Sequence, residues 1–225
     1  MDSEDPAVMG RDAFLKRATL ALGGLVGALV ALPVAGFALL PSFGRTRRPP
    51  IDVGPLTDFP EGQYMVTTFL IDPTAGAVAR RTAYVRNNGL LGTAPSFTVI
   101  SSRCTHVGCP TQPNGPIFAQ QEKTLGTQES PVSLIPADPA GGFGCPCHGS
   151  QFDPEGNRTA GPAARALDRY AFSIDNGRLQ LGNTFSVSHV DGTGAQARIH
   201  RFGLQGPGQP VNGLESWLYP VQPPR

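Results

Sequence analysis

The four cysteines of this chain fall in two short boxes, Cys104-Thr105-His106-Val107-Gly108-Cys109 and Cys145-Pro146-Cys147-His148-Gly149-Ser150, which also contain two of its four histidines. Each box offers one Cys and one His at close spacing, plus one additional Cys. Two thiolates and two imidazoles are the ligand set of a mixed two-iron, two-sulfide centre, where sulfur holds one iron and ring nitrogen the other. Anionic thiolates stabilise ferric iron. Neutral imidazoles donate less, so the iron they hold accepts an electron more readily. Such centres run from about −150 to +300 mV, against about −400 mV for all-thiolate plant-type clusters. A bound imidazole can also lose or regain its remaining N–H proton, which couples electron uptake to proton uptake.

The spacing suits two loop tips that approach a cluster from opposite sides. Cys104 and Cys145 are read as ligands to one iron, and His106 and His148 as ligands to the other. Cys109 and Cys147 are left over. Structural zinc also takes sulfur and nitrogen ligands, but it leaves the additional cysteine of each box without a role. Two plain structural disulfides would leave both box histidines unexplained. His189 and His200 lie outside the boxes and are read as ordinary surface or core residues.

The boxes resemble the Rieske iron–sulfur protein family, in the high-potential branch found in quinol-oxidising cytochrome complexes. The pattern Cys-Thr-His-x-Gly-Cys followed by Cys-Pro-Cys-His-Gly-Ser is present without a break. The resemblance implies one [2Fe-2S] cluster per chain on Cys104, His106, Cys145 and His148. It also implies a Cys109–Cys147 disulfide tying the cluster loops together, worth roughly 4 kcal/mol by chain-entropy arguments. Gly161-Pro162-Ala163 stands where the family has a Gly-Pro-rich loop over the cluster's third side, with Ala164 where a second proline is frequent. Ser150 matches a residue whose hydroxyl donates to a cluster sulfide. Phe152 stands where many relatives carry a tyrosine that donates to a ligand-cysteine sulfur. Such hydrogen bonds stabilise the reduced state. The resemblance therefore implies a potential below that of ubiquinol-type relatives, matched to menaquinol.

By the same resemblance, His148 and His106 are the catalytic pair. His148 presents its outer nitrogen to the quinol hydroxyl and takes the proton, and Val107 forms part of the apolar contact around the docked quinol. The implied partners are a cytochrome b-type subunit, a c-type cytochrome subunit, quinol and the membrane, in a dimeric complex. The chain is then the electron-transfer subunit of a quinol:cytochrome c oxidoreductase and is not active alone. A Rieske ferredoxin normally lacks the extra cysteine pair and the anchor. The small subunit of an arsenite-oxidase-like enzyme is a closer alternative, being exported and able to carry the disulfide.

The elements that must position these boxes begin with an apolar segment. No charged residue occurs from Ala18 to Phe43. As a helix, Ala18–Leu40 would be about 34 Å long at about 1.5 Å per residue, enough to cross a hydrocarbon core of about 30 Å. It is longer than a signal-peptide core, and Pro41-Ser42-Phe43-Gly44 is a weak cleavage site, so 18–43 is read as a retained transmembrane anchor. Three basic residues flank it on each side, Arg11, Lys16 and Arg17 against Arg45, Arg47 and Arg48, so the positive-inside count is a tie. A persistent disulfide belongs outside the cytoplasm. The expected location is a bacterial cell membrane, with a single pass, a cytoplasmic N-terminus and the cluster domain on the extracytoplasmic side. Residues 1–17 contain a degenerate twin-arginine-like signal, with Asp12 in place of the second arginine.

Residues 44–58 are read as a hinge linker, stiffened by Pro49-Pro50. Residues 59–182 are read as a mainly β domain of antiparallel strands, with its cluster-binding part at about 103–165. Segments 64–72, 81–86 and 97–102 are rich in β-branched and aromatic residues. Segments 170–174 and 178–181 flank an Asp175-Asn176-Gly177 turn and read as a hairpin. The stretch 110–144, with Pro110, Pro113 and Pro116, suggests an inserted loop. Residues 183–225 are expected to be an extension in which Ser216–Pro220 packs on the head or grips another subunit. A net charge of +1 makes no case for nucleic acid.

Overall fold

The computed structural model describes residues 10–43 and 49–202. It divides into two compact units, Met1–Thr46 and Arg47–Arg225. The first contains one helix, α1 (Arg11–Phe43). It starts seven residues before Ala18, because nothing between Arg11 and Arg17 breaks a helix and Asp12 sits favourably in the first turn. Its 27-residue stretch Arg11–Phe37 is long and apolar enough to cross a membrane. Leu20, Leu29 and Phe37 are all exposed, so the helix has an apolar circumference rather than one apolar stripe.

The second unit is built from antiparallel strands. In chain order these are β1 (Ile51–Pro55), β2 (Tyr64–Leu70), β3 (Arg80–Leu91), β4 (Ala94–Ser101), β5 (Gln112–Pro113), β6 (Lys123–Gly126) and β7 (Pro131–Ala137). They continue with β8 (Phe143–Gly144), β9 (Gln151–Phe152), β10 (Arg158–Ala160), β11 (Arg169–Asp175), β12 (Arg178–Phe185), β13 (Val187–Asp191) and β14 (Arg198–Arg201). Eight of them form one sheet in the order β1-β12-β11-β4-β3-β2-β7-β6. It curls until its outer strands approach: a Cβ on Gly54 of β1 would lie 2.7 Å from Leu125 of β6. A smaller sheet, β10-β9-β8-β5, holds the cysteine boxes, and β13-β14 form a separate hairpin.

Period-2 alternation feeds two cores from the same strands. Met65 and Phe69 of β2, Ala83 and Val85 of β3, and Phe97 and Val99 of β4 point into the interior of the curled sheet. Tyr64, Tyr84 and Ile100 of the same strands point the other way, onto Phe143, Phe152, Cys104 and Cys145. Each buried Val, Ile, Met or Phe side chain among these contributes about 1.5–3 kcal/mol. The β11–β12 hairpin turns as the Asn-Gly pair predicts, with Asn176 at φ 49° and Gly177 at φ 73° and Asp175 opposite Arg178.

Three segments differ from the sequence expectation. Ile51–Pro55, assigned to the linker, is a sheet strand, because Val53 is fully buried and Asp52 pairs with Arg178 across β12. The expected inserted loop is largely structured: β7 pairs with β2 along Tyr64–Thr68 and buries Val132 and Leu134. Its prolines obscured that alternation. The expected extension from 183 begins inside β12 and continues into the β13–β14 hairpin, whose Val187 and Val190 bury against Ala166. Ser216–Pro220 lies outside the described residues.

One carboxylate fastens these parts together. Glu155 is buried and pairs with Arg86 of β3 and, at 3.2 Å, with Arg169 of β11. It also accepts the Gly194 N–H at 3.1 Å from the turn before β14. Tyr64 donates to the neighbouring Pro154 carbonyl at 2.5 Å. Replacing Glu155 with Gln keeps the shape but leaves two guanidinium groups without their anion. Glu155→Gln is expected to cost about 3–5 kcal/mol, measured by denaturant unfolding of the full chain followed by circular dichroism.

Candidate metal centre

The first box joins β4 to β5 and the second joins β8 to β9. Both fold to the same hydrogen-bonded pattern. In the first, the Cys104 N–H donates to Cys109 O (2.8 Å) and the Gly108 N–H to Cys104 O (2.9 Å). In the second, the Cys145 N–H donates to Ser150 O (2.8 Å) and the Gly149 N–H to Cys145 O (3.0 Å). Each closure needs a left-handed residue at its fifth position, supplied by Gly108 (φ 81°) and Gly149 (φ 75°). The loops are thus geometric equivalents, although their sequences place the histidine third in one and fourth in the other.

This shared geometry separates the two cysteines from the two histidines. Cys104 and Cys145, at the loop bases, are each 3% exposed and belong to the second core. His106, Val107 and His148, at the tips, are exposed. The two imidazoles meet edge to face with centroids 5.0 Å apart. Cys109, which closes the first loop, and Cys147, in the second, form a disulfide between the loops, as the family resemblance implied.

Burial pushes the Cys104 thiol pKa up, and the neighbouring Cys145 raises it further, against hydrogen bonds from the His106 backbone and the Ser150 side chain. Two thiolates facing each other in this apolar pocket repel one another and are stable only with cationic metal between them. The donor set and its burial therefore fit a cluster with sulfur on its inner side and nitrogen on its outer side.

A third segment closes against the second loop. The Ser150 hydroxyl accepts the Ala163 N–H at 3.0 Å, which leaves its own proton free to be donated. Gly161 has φ 85°, and a Cβ there would lie 2.5 Å from Ser150 Cα. Pro162 is exposed at the turn and Ala163 is buried. Phe152 is buried opposite Phe143 in the β8–β9 pair. Sequence reasoning missed the hydroxyl groups that brace the first loop. Thr105 donates to Arg165 O at 2.8 Å and Tyr84 donates to Thr111 O at 2.5 Å. Burial pushes the Tyr84 phenol up to about 12. Thr105 is inside the box, but nothing local marks Tyr84, which lies 20 residues earlier in the chain.

The Rieske [2Fe-2S] domain profile matches residues 50–171, more than half of the chain. The chain belongs to the Rieske [2Fe-2S] domain family and accordingly carries a [2Fe-2S] cluster. It is 24% identical over 170 residues to the cytochrome b6-f complex iron-sulfur subunit of Chlorobaculum tepidum, covering 75% of this chain and 73% of that one. It is 32% identical over 83 residues to the chloroplastic cytochrome b6-f complex iron-sulfur subunit of Bigelowiella natans, covering 36% of this chain and 23% of that one. Among solved structures, the soluble domain of Rieske protein II from Sulfolobus acidocaldarius aligns with a TM-score of 0.38 at 14% identity, covering 82% of this chain and 94% of that one.

Gly149 and Gly161 share a left-handed backbone but differ in surroundings, since a Cβ on Gly149 meets nothing within 4 Å. Gly149→Ala should cost only about 1–2 kcal/mol and retain the cluster. Gly161→Ala should force the third segment off Ser150 and lower iron content and visible circular dichroism per chain.

Proposed function

We propose that this chain is the membrane-anchored electron-transfer subunit of a bacterial cytochrome bc- or bf-type quinol:cytochrome c oxidoreductase. The observation that carries the reading is the partition at the loop tips. Buried thiols lie beneath two exposed imidazoles, and Val107 beside them is 61% exposed. Cys104 and Cys145 hold one iron, and His106 and His148 hold the other. When bound, the cluster supplies one-electron acceptance from quinol and donation to a c-type cytochrome.

The chain's own residues do the rest. His148 presents its outer nitrogen to the quinol hydroxyl and holds the proton that leaves it. His106 occupies the adjacent face, and Val107 excludes water from the contact. The Cys109–Cys147 disulfide keeps the tips in register while their imidazoles stay open to a partner. Ser150 holds the third segment and directs its hydroxyl proton inward. The helix Arg11–Phe43 anchors the head, with the N-terminus cytoplasmic and the cluster domain outside, as a persistent disulfide requires. A cytochrome b-type subunit, a c-type cytochrome subunit and a dimeric complex complete the catalytic unit. The disulfide and the apolar helix both speak against a Rieske ferredoxin.

Phe152 adds a finer expectation, a low potential suited to menaquinol. Phe152→Tyr should raise the reduction potential in protein-film voltammetry, and an unchanged potential would remove the menaquinol assignment. The wider proposal is tested by detergent extraction of native membranes. This chain should co-purify with b- and c-type haem and show a reduced-cluster EPR signal. Recovery in a haem-free fraction would refute it.

A further inference from the structure

We propose that His189, Asp191 and His200, on the β13–β14 hairpin, form a second metal site for one divalent transition ion of the zinc–nickel–copper class. The sequence marks neither histidine, since they are separated along the chain and lie outside the cysteine boxes. The hairpin register places His189 directly opposite His200. Their rings stack with centroids 4.1 Å apart and 8° between planes. Both Nε2 atoms turn to the same carboxylate, with His200 at 2.8 Å from Asp191 Oδ2 and His189 at 3.8 Å from Asp191 Oδ1.

Those separations match what an ion requires. With metal–ligand bonds of about 2.0–2.1 Å, neighbouring ligand atoms in a tetrahedral site lie about 3.4 Å apart. The two contacts run to different oxygens of Asp191 and fall on either side of that value, and one donor atom from each of the three side chains lies within 4.8 Å of the others. The stacked rings turn out of parallel on binding, so that both Nε2 lone pairs point at one ion. Two imidazoles and one carboxylate suit borderline ions and exclude magnesium or calcium, which require mostly oxygen. The side chains are 48%, 63% and 32% exposed, so the ion enters from solvent and keeps water in its remaining positions. Binding replaces the direct His200–Asp191 contact with bonds from both side chains to the metal.

The location gives the site a consequence. A two-stranded hairpin is marginal by itself, and this one is held to the cluster-bearing part by Asn157, which donates to Val190 O (2.9 Å) and accepts the Val190 N–H (2.7 Å). Asn157 belongs to the turn containing Glu155. A metal bridging β13 to β14 therefore staples the hairpin whose turn caps Glu155. The inference does not depend on the quinol-oxidising role.

The test uses the full chain with its cluster, oxidised and in detergent, titrated with Zn2+ by calorimetry. The expected result is one equivalent bound in wild type. That equivalent should be lost in the His189→Ala/His200→Ala variant, and Asp191→Asn, which removes the anionic ligand, should weaken it measurably. Unchanged visible circular dichroism in each variant shows that the cluster domain is intact. Cu2+ bound in place of Zn2+ should show hyperfine coupling to two nitrogens, and Zn2+ should slow amide exchange across β13–β14 in wild type without any substitution. An isotherm unaltered by the double substitution, or no zinc-dependent protection of the hairpin, overturns the proposal.

Discussion

The structure depends on keeping two cysteine thiols dry and two imidazoles wet within one small volume. Packing shields the thiols from water, whereas the imidazoles stand where solvent or another molecule can touch them. Two loops far apart in sequence meet this constraint by sharing one backbone geometry, with the cysteine at the base and the histidine at the tip. The disulfide spans a sequence separation of 38 and joins Cys109, the closing residue of the first loop at the edge of the second core, to the exposed Cys147 of the second loop. Bracing is thus covalent on the exposed side and by packing on the buried side.

That buried side is a second core grown from the back of the main sheet. Tyr84 stacks on Phe143 at 4.3 Å, and Tyr64 meets the same ring edge-on at 5.7 Å. Phe143 sits one residue before Gly144 and two before Cys145, so the aromatic cluster sets where the second loop begins. The first loop is set from the same sheet through Ile100 and the Tyr84 hydroxyl. Both loops therefore take their positions from β3 and β4, which makes the eight-stranded sheet a rigid reference for the metal centre.

Glu155 extends this reference to the hairpin β13–β14. A buried carboxylate between two arginines is a costly arrangement if any partner is absent. It therefore favours one relative placement of sheet, turn and hairpin over alternatives that leave a charge alone. Burial lowers the Arg169 pKa and the nearby Glu155 charge opposes that shift, so the pair is held together by mutual need rather than by solvent.

The residue types and spacings of the two boxes, by themselves, determined the family and its cofactor, because metal ligation demands particular atoms at short range. The apolar run at the N-terminus likewise determined a long helix, and Asn176-Gly177 determined a hairpin, since both are local preferences of the chain. Only the tertiary structure decided what depends on distant partners. The proline-bearing 110–144 segment became sheet because β2 offered it an edge. Ile51–Pro55 became strand because β12 did the same. Tyr84, Thr105 and Glu155 acquired their roles through groups 27 to 69 residues away. His189 and His200 became neighbours only when the hairpin register set them face to face, because no local pattern encodes cross-strand pairing.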